Sequence, residues 1–435
     1  METYYIESLD YEGRGIARRD GKTIFIEGAL TGETVTASVY RKKPSFENAN
    51  VQRILRESAQ RVTPQCVNFG RCGGCSLQHL DARAQVAAKQ RVLEDNLWHI
   101  GKVSAGQILP PLHGPAWGYR RLARMTARYV LKKGGSLIGF HEKKSGFVAD
   151  MTTCEVLPPA ISNLLPPLRQ LVNGLSIRER MPQIELACGD AANVLVFRVL
   201  APPSGEDKAL LTAFAQTHGV HVYLQPKGPE TAYPLWPEAP ADLYYTLPEF
   251  DIKMPFFPTE FTQVNHEVNR VLVRRALSLL APQPGEHIAD MFCGIGNFTL
   301  PIARSGAHVT GIEGSASLLK RAADNAAYNG LSEYARYHAM NLFEINAETF
   351  AGLCAAGRFD RMLIDPPRDG AAALVKSLAS APPRRIVYVS CNPATLARDA
   401  SMLVHEQGYV LNAAGVVNMF PHTAHVESIA VFDLP

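Results

Sequence analysis

Long apolar runs and a secretory leader are both missing from this 435-residue sequence. No stretch of 18 consecutive apolar residues occurs, so we expect no membrane-spanning helix and no membrane partner. The first residues, METYYIESLDYEGRG, lack the basic segment and apolar core of a signal peptide, which predicts a cytoplasmic protein. Hydrophobic residues still make up 46% of the chain, too many for disorder and enough for two or three domains.

Cysteine is scarce, with eight residues in the chain. Without a secretion signal, cysteines are metal ligands, nucleophiles or packing residues more often than disulfides. Cys66, Cys72 and Cys75 fall within ten residues, which favours a metal site, and Cys154 is the next cysteine along. The spacing fits zinc and a four-iron cluster equally. Three further cysteines are interpreted as packing residues: Cys188, Cys293 and Cys354.

Acidic residues are almost absent between residues 117 and 145, where eight lysines and arginines accompany the single acid Glu142. A solvated strand face is the alternative interpretation, but such a charge excess is hard to maintain without a bound anion. The stretch therefore predicts phosphate contact, and a smaller basic cluster lies within the first sixty residues. The candidate RNA-contacting residues are Arg41, Lys42, Lys43, Arg120, Arg121, Arg124, Arg128, Lys132 and Lys133.

Three regions differ in pattern. Residues 1–58 contain short alternating segments between glycine turns, which predict a small β-barrel. The pattern resembles a TRAM domain, and this resemblance implies RNA binding. Residues 59–255 predict a central, mostly β domain with a helix over residues 81–101, and the recurrent prolines of residues 225–248 indicate a connector.

Residues 256–435 alternate strands and helices, which is typical of a parallel α/β sheet. The first strand leads into a glycine turn, with Thr299 where a dinucleotide fingerprint has its third glycine. The next strand ends in Glu313, 23 residues after Asp290, where an acid can accept hydrogen bonds from ribose hydroxyls. The missing glycine favours S-adenosylmethionine over a nicotinamide dinucleotide.

A third strand, FDRMLI, ends in Asp365-Pro-Pro-Arg, and a fourth, VYVS, ends at Cys391. Both sequences should meet at the ligand-binding edge of the sheet. Cys391 precedes a predicted helix start, so the positive end of that helix should favour a thiolate nucleophile. Glu427 interrupts an apolar closing strand, where a buried setting would raise its pKa and suit it to accept a proton.

The motifs FFPTEFTQVN, DMFCGIGNFTLPIA, DPPR, VSCNPATLARD and HVES together resemble the RNA 5-methyluridine methyltransferase family over essentially the whole chain. The resemblance implies that Cys391 adds to C6 of uracil and that Glu427 removes the C5 proton after methylation. It also implies that Cys66, Cys72, Cys75 and Cys154 hold a [4Fe-4S] cluster. The implied S-adenosylmethionine-binding residues are Gln263, Phe292, Asn297, Glu313, Asn341 and Asp365.

A barrel together with a cluster is similar to the family members that act on 23S rRNA. The resemblance implies methylation of uridine 1939 of that RNA. The target base must leave its stack to reach both catalytic groups, so we expect it to be flipped out of a single-stranded or flexible segment. We also expect a monomer. The resemblance also implies that the helix over residues 81–101 packs on the catalytic domain, so the central domain of residues 59–255 should be discontinuous. Those members often have Asp-Pro-Ala-Arg where this chain has Asp365-Pro-Pro-Arg. Three alternatives remain: another rRNA or tRNA uridine, methylation of an exocyclic amine, or RNA binding without catalysis.

Overall fold

A computed structural model describes residues 2–435, apart from the side chain of Ala356. No helix in that range is both long enough and apolar enough to cross a membrane.

The N-terminal region is a six-stranded barrel. Its strands are β1 (Glu2–Tyr5), β2 (Ser8–Leu9), β3 (Gly15–Arg19), β4 (Lys22–Glu27), β5 (Thr34–Lys42) and β6 (Phe46–Arg56). The order β1-β5-β6-β4-β3-β2 places β1 and β2 on opposite edges, although two residues separate them in the chain. The sheet therefore closes on itself: the consecutive residues Ile6 and Glu7 donate their backbone N–H groups to Glu33 O, just before β5, at 2.9 Å and to Ile16 O, on β3, at 2.8 Å. The predicted barrel is confirmed, with Ile6, Ile24 and Ile26 in its core.

The middle region begins with one long helix. α1 (Ala82–Asn96) continues into a π-helical turn, Leu97–Gly101, and Asp81 caps its start by accepting from the Arg83 backbone N–H at 2.9 Å. β7 (Gln107–Ile108) then adds an edge strand to the C-terminal sheet.

A second six-stranded sheet follows, in the order β13-β12-β11-β10-β8-β9. Its elements and the short hairpin after it are β8 (Leu122–Val130), β9 (Gly135–Gly139), α2 (Pro159–Ser162), α3 (Leu165–Gly174), β10 (Gln183–Cys188), β11 (Asn193–Arg198), α4 (Gly205–His218), β12 (His221–Gln225), β13 (Tyr233–Trp236), β14 (Tyr244–Leu247) and β15 (Ile252–Pro255). The prediction of a mostly β region therefore missed α3 and α4. The start of α4 carried a readable signal, because Ser204 and Asp207 form a capping box.

The C-terminal region is an α/β domain. Its elements are α5 (His266–Leu280), β16 (His287–Met291), α6 (Thr299–Arg304), β17 (His308–Glu313), α7 (Ala316–Tyr328), β18 (Ala335–Ala339), α8 (Ala347–Leu353), β19 (Arg361–Ile364), α9 (Ala372–Ser377), β20 (Arg385–Ser390), α10 (Pro393–His405), β21 (Val410–Val417) and β22 (Glu427–Asp433). The edge strand β18 was not predicted from the sequence, so the strand before Asp365 is the fourth parallel strand in chain order, not the third.

The sheet order β18-β17-β16-β19-β20-β22-β21-β7 positions the site. Strands β16 to β20 run parallel to one another, whereas β22 is antiparallel to β20 and β21. After β16 the chain forms β17 on one side of β16, and it later forms β19 on the other side of β16. Ligands bind at the carboxyl edge of such a switch point.

Helix α1 packs on this C-terminal domain, against α10 and β21. Its Leu93 and Leu97 are buried in the same apolar cluster as Leu396 and Tyr388.

Candidate active site

One cavity of about 600 Å³ opens at the carboxyl edge of the sheet. It lies at the switch point between β16 and β19. The eight residues predicted for catalysis and for cofactor binding all line it: Gln263, Phe292, Asn297, Glu313, Asn341, Asp365, Cys391 and Glu427.

The turn after β16 shapes one side of this cavity. Phe292, Gly294 and Gly296 all have a positive φ, of 64°, 55° and 96°. Glycine adopts that conformation without strain, so the glycines at the last two positions make the tight turn possible. Beneath the turn, buried Asp290 accepts from Thr299 Oγ1 at 2.5 Å, which ties the strand to the start of α6. Burial raises the pKa of Asp290 to about 7.

Glu313, at the end of β17, is held by the backbone. Its Oε2 accepts from Gly294 N at 3.3 Å, and its Oε1 accepts from Ser315 N at 3.0 Å. Each carboxylate oxygen has a further lone pair. The half-buried carboxylate can therefore accept two hydroxyl hydrogen bonds from the cavity side.

Asn297 is held by two residues that were not predicted as part of the site, Tyr245 and Asn269. Its Oδ1 accepts from Tyr245 Oη at 2.8 Å and from Asn269 Nδ2 at 2.9 Å, and its Nδ2 donates to Asn269 Oδ1 at 3.0 Å. Tyr245 also lines the cavity. It belongs to the proline-rich segment, which is therefore part of the site. No local sequence signal marks this role, because the contact spans 52 residues.

The VSCNPATLARD motif holds the turn that follows Asp365. Asn392 Nδ2 and Thr395 Oγ1 donate to Arg368 O at 3.1 and 3.2 Å. Arg398 Nη2 donates to Asp369 O at 2.8 Å. The first two turns of α10 thus fix the Asp365-Pro-Pro-Arg turn next to the cysteine that precedes the helix.

Cys391 lies immediately before Asn392, the N-cap of α10, and is half-buried. Burial, Glu427 and Asp365 raise the pKa of its thiol to about 11, against a smaller opposite effect of Arg368. These effects oppose the thiolate that the sequence predicts, and the ionisation of Cys391 stays a prediction.

Glu427 is the first residue of β22, opposite Val417 on β21. Burial and Asp365 raise the pKa of its carboxyl to about 8, and Lys89 opposes that shift. Its Oε2 has no hydrogen-bond partner among residues 2–435. An unpaired buried carboxyl oxygen is costly, so this atom is available to a group that enters the cavity.

The four candidate ligand cysteines line a second cavity, of about 230 Å³: Cys66, Cys72, Cys75 and Cys154. Burial raises the pKa of Cys75 to about 11 and that of Cys154 to about 12. Gly74 N donates to Cys72 Sγ at 3.3 Å. No set of three or more His, Cys, Asp or Glu residues within the described chain already has metal-binding geometry. The donor set of four thiols around one cavity nevertheless fits a metal that prefers sulfur.

The candidate RNA-contacting residues separate into two groups. The outward-facing group comprises Arg41, Lys42, Lys43, Arg124, Arg128, Lys132 and Lys133. Arg120 and Arg121 are half-buried instead, and Arg120 lines the four-cysteine cavity. Arg124 is also paired with Glu185 at 3.2 Å.

The chain is similar in sequence to known families and proteins. A family model described as tRNA (Uracil-5-)-methyltransferase matches residues 249–433, and a TRAM domain model matches residues 5–48. The chain is 61% identical over 434 residues to a 23S rRNA (uracil(1939)-C(5))-methyltransferase RlmD of Aromatoleum aromaticum, covering 100% of both chains. It is 62% identical over 430 residues to the protein of that name from Nitrosospira multiformis, covering 98% of this chain and 97% of the relative.

Among solved structures, the crystal structure of Pyrococcus abyssi tRNA (uracil-54, C5)-methyltransferase in complex with S-adenosyl-L-homocysteine matches with a TM-score of 0.74. It is 23% identical, and the match covers 99% of both chains. This likeness shows a shared fold.

Proposed function

Because the chain belongs to the RNA (uracil-5-)-methyltransferase family, we propose that it transfers a methyl group from S-adenosylmethionine to C5 of uridine 1939 in 23S rRNA. The observation that carries this proposal is the single cavity that contains Cys391, Glu427 and the six candidate cofactor residues. An exocyclic-amine methyltransferase would need neither the cysteine nor the buried glutamate.

The cavity suits the methyl donor. S-adenosylmethionine supplies an electrophilic methyl group on a positively charged sulfonium. Glu313 is positioned to accept the ribose hydroxyls, and the φ-positive turn at Gly294 lets the backbone approach a ligand closely. Gln263, Asn297 and Asn341 add polar groups, and Phe292 adds an apolar wall.

Cys391 is the proposed nucleophile, because C5 of uracil is too weakly nucleophilic to attack a sulfonium unaided. The Cys391 thiolate adds to C6, and the electron pair displaced from the C5–C6 double bond makes C5 nucleophilic. After C5 has taken the methyl group, Glu427 removes the C5 proton, the double bond reforms and the thiolate leaves. The unpaired Glu427 Oε2 supports its role as the base.

We propose that a [4Fe-4S] cluster is held in the four-cysteine cavity by Cys66, Cys72, Cys75 and Cys154. Thiolates at these positions would complete the cubane's ligand shell. The cavity is also lined by Thr423 and His425, which belong to the loop before Glu427. The cluster is therefore proposed to support the fold around the catalytic cavity.

The RNA is proposed to lie across the barrel and the exposed face of β8, with the target uridine flipped out of its stack. Flipping is required because Cys391 and Glu427 line a recessed cavity that a stacked base cannot enter. A monomeric state and a cytoplasmic location stay predictions, as do the boundaries 1–58, 59–255 and 256–435 of the three domains.

Product mapping tests the function. The protein is incubated with labelled S-adenosylmethionine and 23S rRNA fragments, and the modified nucleotide is identified by mass spectrometry. We expect 5-methyluridine at position 1939, and no label in a fragment that carries cytidine there. A methyl group on an exocyclic amine, or on a uridine of another RNA alone, would contradict the proposal.

A further inference from the structure

A third cavity, of about 410 Å³, has no role in the reaction proposed above. Its lining comes from the segment before β8, the segment after Cys154 and the start of α5. Its volume falls in the range of small-molecule binding sites. Asn265, which caps α5 and lines this cavity, is two residues from Gln263 in the catalytic cavity, so the two cavities are close neighbours.

Two opposite charges line this third cavity without pairing. They are Arg121 and Glu155, and both are half-buried. Within residues 2–435 neither side chain forms an ion pair, with the other or with a third residue, whereas nearby Arg124 is paired with Glu185 at 3.2 Å. Half-buried charges are costly when they stay unpaired. Both are therefore available to a ligand that offers acceptors to the arginine and donors to the glutamate.

The same cavity contains a buried polar group without a partner. His266, the first residue of α5, is 3% exposed, and neither of its ring nitrogens has a hydrogen-bond partner among the described residues. Asp190 Oδ1 lies 3.9 Å from its Nδ1, beyond hydrogen-bonding distance. An unpaired buried imidazole is costly, so this side chain too is available to a group that enters the cavity.

Trp117 adds an aromatic surface to the cavity. One face of its indole stacks on the His422 ring, with ring centroids 3.7 Å apart and planes at 22°. The half-buried indole also lines the cavity, together with Tyr119. An aromatic ring beside hydrogen-bonding side chains is the arrangement with which proteins hold an unstacked RNA base.

We propose that this cavity binds a guanine base of the substrate RNA, flipped out near the target uridine, and so contributes to the choice of site. The inference rests on the proposed function, which supplies the RNA. Guanine fits both charges. Its N7 and O6 are neighbouring acceptors for the forked donors of Arg121, and its N1–H and 2-amino group are neighbouring donors for the two oxygens of Glu155. Adenine, cytosine and uracil each lack at least one of these pairs.

Base analogues test for the guanine. Each guanosine of a 23S rRNA fragment that contains uridine 1939 is replaced in turn by inosine, which lacks the 2-amino group, or by 7-deazaguanosine, which lacks N7. Binding of each RNA to the full-length protein is measured without S-adenosylmethionine. We expect one guanosine at which either replacement weakens binding about tenfold, near the low end of the discrimination that a paired base contact gives. A fragment in which no guanosine is sensitive would overturn the inference.

Two variants assign this sensitivity to the cavity. Glu155→Met should lose the preference for guanosine over inosine, and Arg121→Met should lose the preference for guanosine over 7-deazaguanosine. Preferences that survive in both variants would contradict the guanine site. Equal weakening of all the RNAs by Arg121→Met would contradict it too, because that result indicates a phosphate contact.

Matched controls remove the same charges where a partner already satisfies them. Glu267→Met removes a carboxylate of the same cavity that is paired with Arg270 at 2.9 Å. Arg124→Met removes the neighbouring cation that is paired with Glu185. Each control can change the affinity for all RNAs equally, but both preferences should persist.

A crosslink locates the base without any substitution in the protein. 6-Thioguanosine at the sensitive position should, under near-ultraviolet light, crosslink to Trp117 or to another residue that lines this cavity. Peptide mass spectrometry identifies the crosslinked residue. A crosslink outside the cavity would overturn the inference, even where a variant fails to fold.

These binding measurements do not depend on methyl transfer. If product mapping gives 5-methyluridine at position 1939 but no guanosine is sensitive, only the guanine site is wrong. If a sensitive guanosine crosslinks to the cavity but the methylated product is a different one, the proposed function is wrong and the guanine site stands.

Discussion

Cys391 lines a cavity in which two carboxyl groups, Asp365 and Glu427, raise the pKa of its thiol. A raised pKa means that the folded protein holds the thiol proton more tightly than an unfolded chain does. With a pKa of about 11, roughly one thiol in a thousand is ionised at pH 8. A cation bound in the cavity would reverse this effect, because it stabilises the thiolate.

Alkylation of Cys391 tests this electrostatic account. Without a ligand, its reaction with iodoacetamide should be slow at pH 8 and should rise tenfold per pH unit toward pH 11, because only the thiolate reacts. Peptide mass spectrometry measures the modification of Cys391, with the half-buried Cys354 as an internal control. S-adenosylmethionine should accelerate the reaction, whereas S-adenosylhomocysteine, which lacks the positive sulfonium, should not. Equal effects of the two ligands would contradict the account.

Single residues of the site were predictable to different degrees. Three residues could be proposed from the sequence, because each stands at a strand end in a pattern that implies chemistry: Cys391, Glu427 and Glu313. The raised pKa of the Cys391 thiol could not be predicted, because the two carboxyl groups that raise it, Asp365 and Glu427, come from distant parts of the chain. Tyr245 and Asn269 were missed for the same reason, since their contacts to the site arise only from folding.

Helix α10 connects the nucleophile to the turn that carries Asp365. Besides the contacts of Asn392, Thr395 and Arg398, the fully buried Asp399 Oδ2 accepts from Ala371 N at 2.7 Å and from Tyr388 Oη at 2.6 Å. This carboxylate joins α10, β20 and the segment before α9. The element thus fixes one wall of the cavity as a unit.

Asp399→Ala should loosen this wall. The change leaves a backbone N–H and a phenol hydroxyl without their acceptor, and we expect a loss of about 2–3 kcal/mol in the free energy of unfolding. The rate of methylation should fall by a larger factor than the affinity for RNA, because the change leaves the basic RNA-contacting surface unchanged. Urea unfolding and RNA binding assays measure the two effects, with the exposed Lys376→Ala on α9 as the control. Unfolding energies equal to wild type would contradict this assignment.

Element boundaries were predictable where the pattern is periodic and regular. The barrel strands and the strands before Glu313 and Cys391 follow simple alternation or apolar runs. Strand β18 was missed because its ARYHA sequence lies at an exposed sheet edge and has no apolar run. Helix α3 was missed because Pro166 and Pro167 suggest a break, although proline is tolerated in the first turn of a helix.

The three regions meet around the loop of residues 418–426. Ser76, next to Cys75, donates its backbone N–H to His422 O at 2.9 Å, and its Oγ accepts from Ala424 N at 3.0 Å. Barrel residue Gly13 approaches the same place, since a Cβ there would lie 3.6 Å from Ala424 Cβ. The barrel, the four-cysteine segment and α1, whose Gln85 Oε1 accepts from His422 N at 2.8 Å, therefore all contact the loop that leads to Glu427.

Metal analysis tests the second cavity. Protein purified without oxygen should be brown and should contain about four irons per chain, as a cubane cluster requires. Cys154→Ser should lose iron and lower the melting temperature, because four thiols would no longer surround the cavity. Cys354→Ser, which changes a half-buried cysteine elsewhere, should retain wild-type iron. A colourless protein that binds one zinc tightly would refute the iron–sulfur assignment.

The separate roles of Cys391 and Glu427 are the central claim, and one gel tests them most directly. Full-length protein is incubated with S-adenosylmethionine and labelled 23S rRNA fragment, then run under denaturing conditions. Glu427→Gln should form the bond to C6 and transfer the methyl group, then stall as a covalent protein–RNA band because the C5 proton stays. Cys391→Ala should give neither band nor product. Full activity of Cys391→Ala, or a Glu427→Gln variant with neither band nor product, would contradict the account.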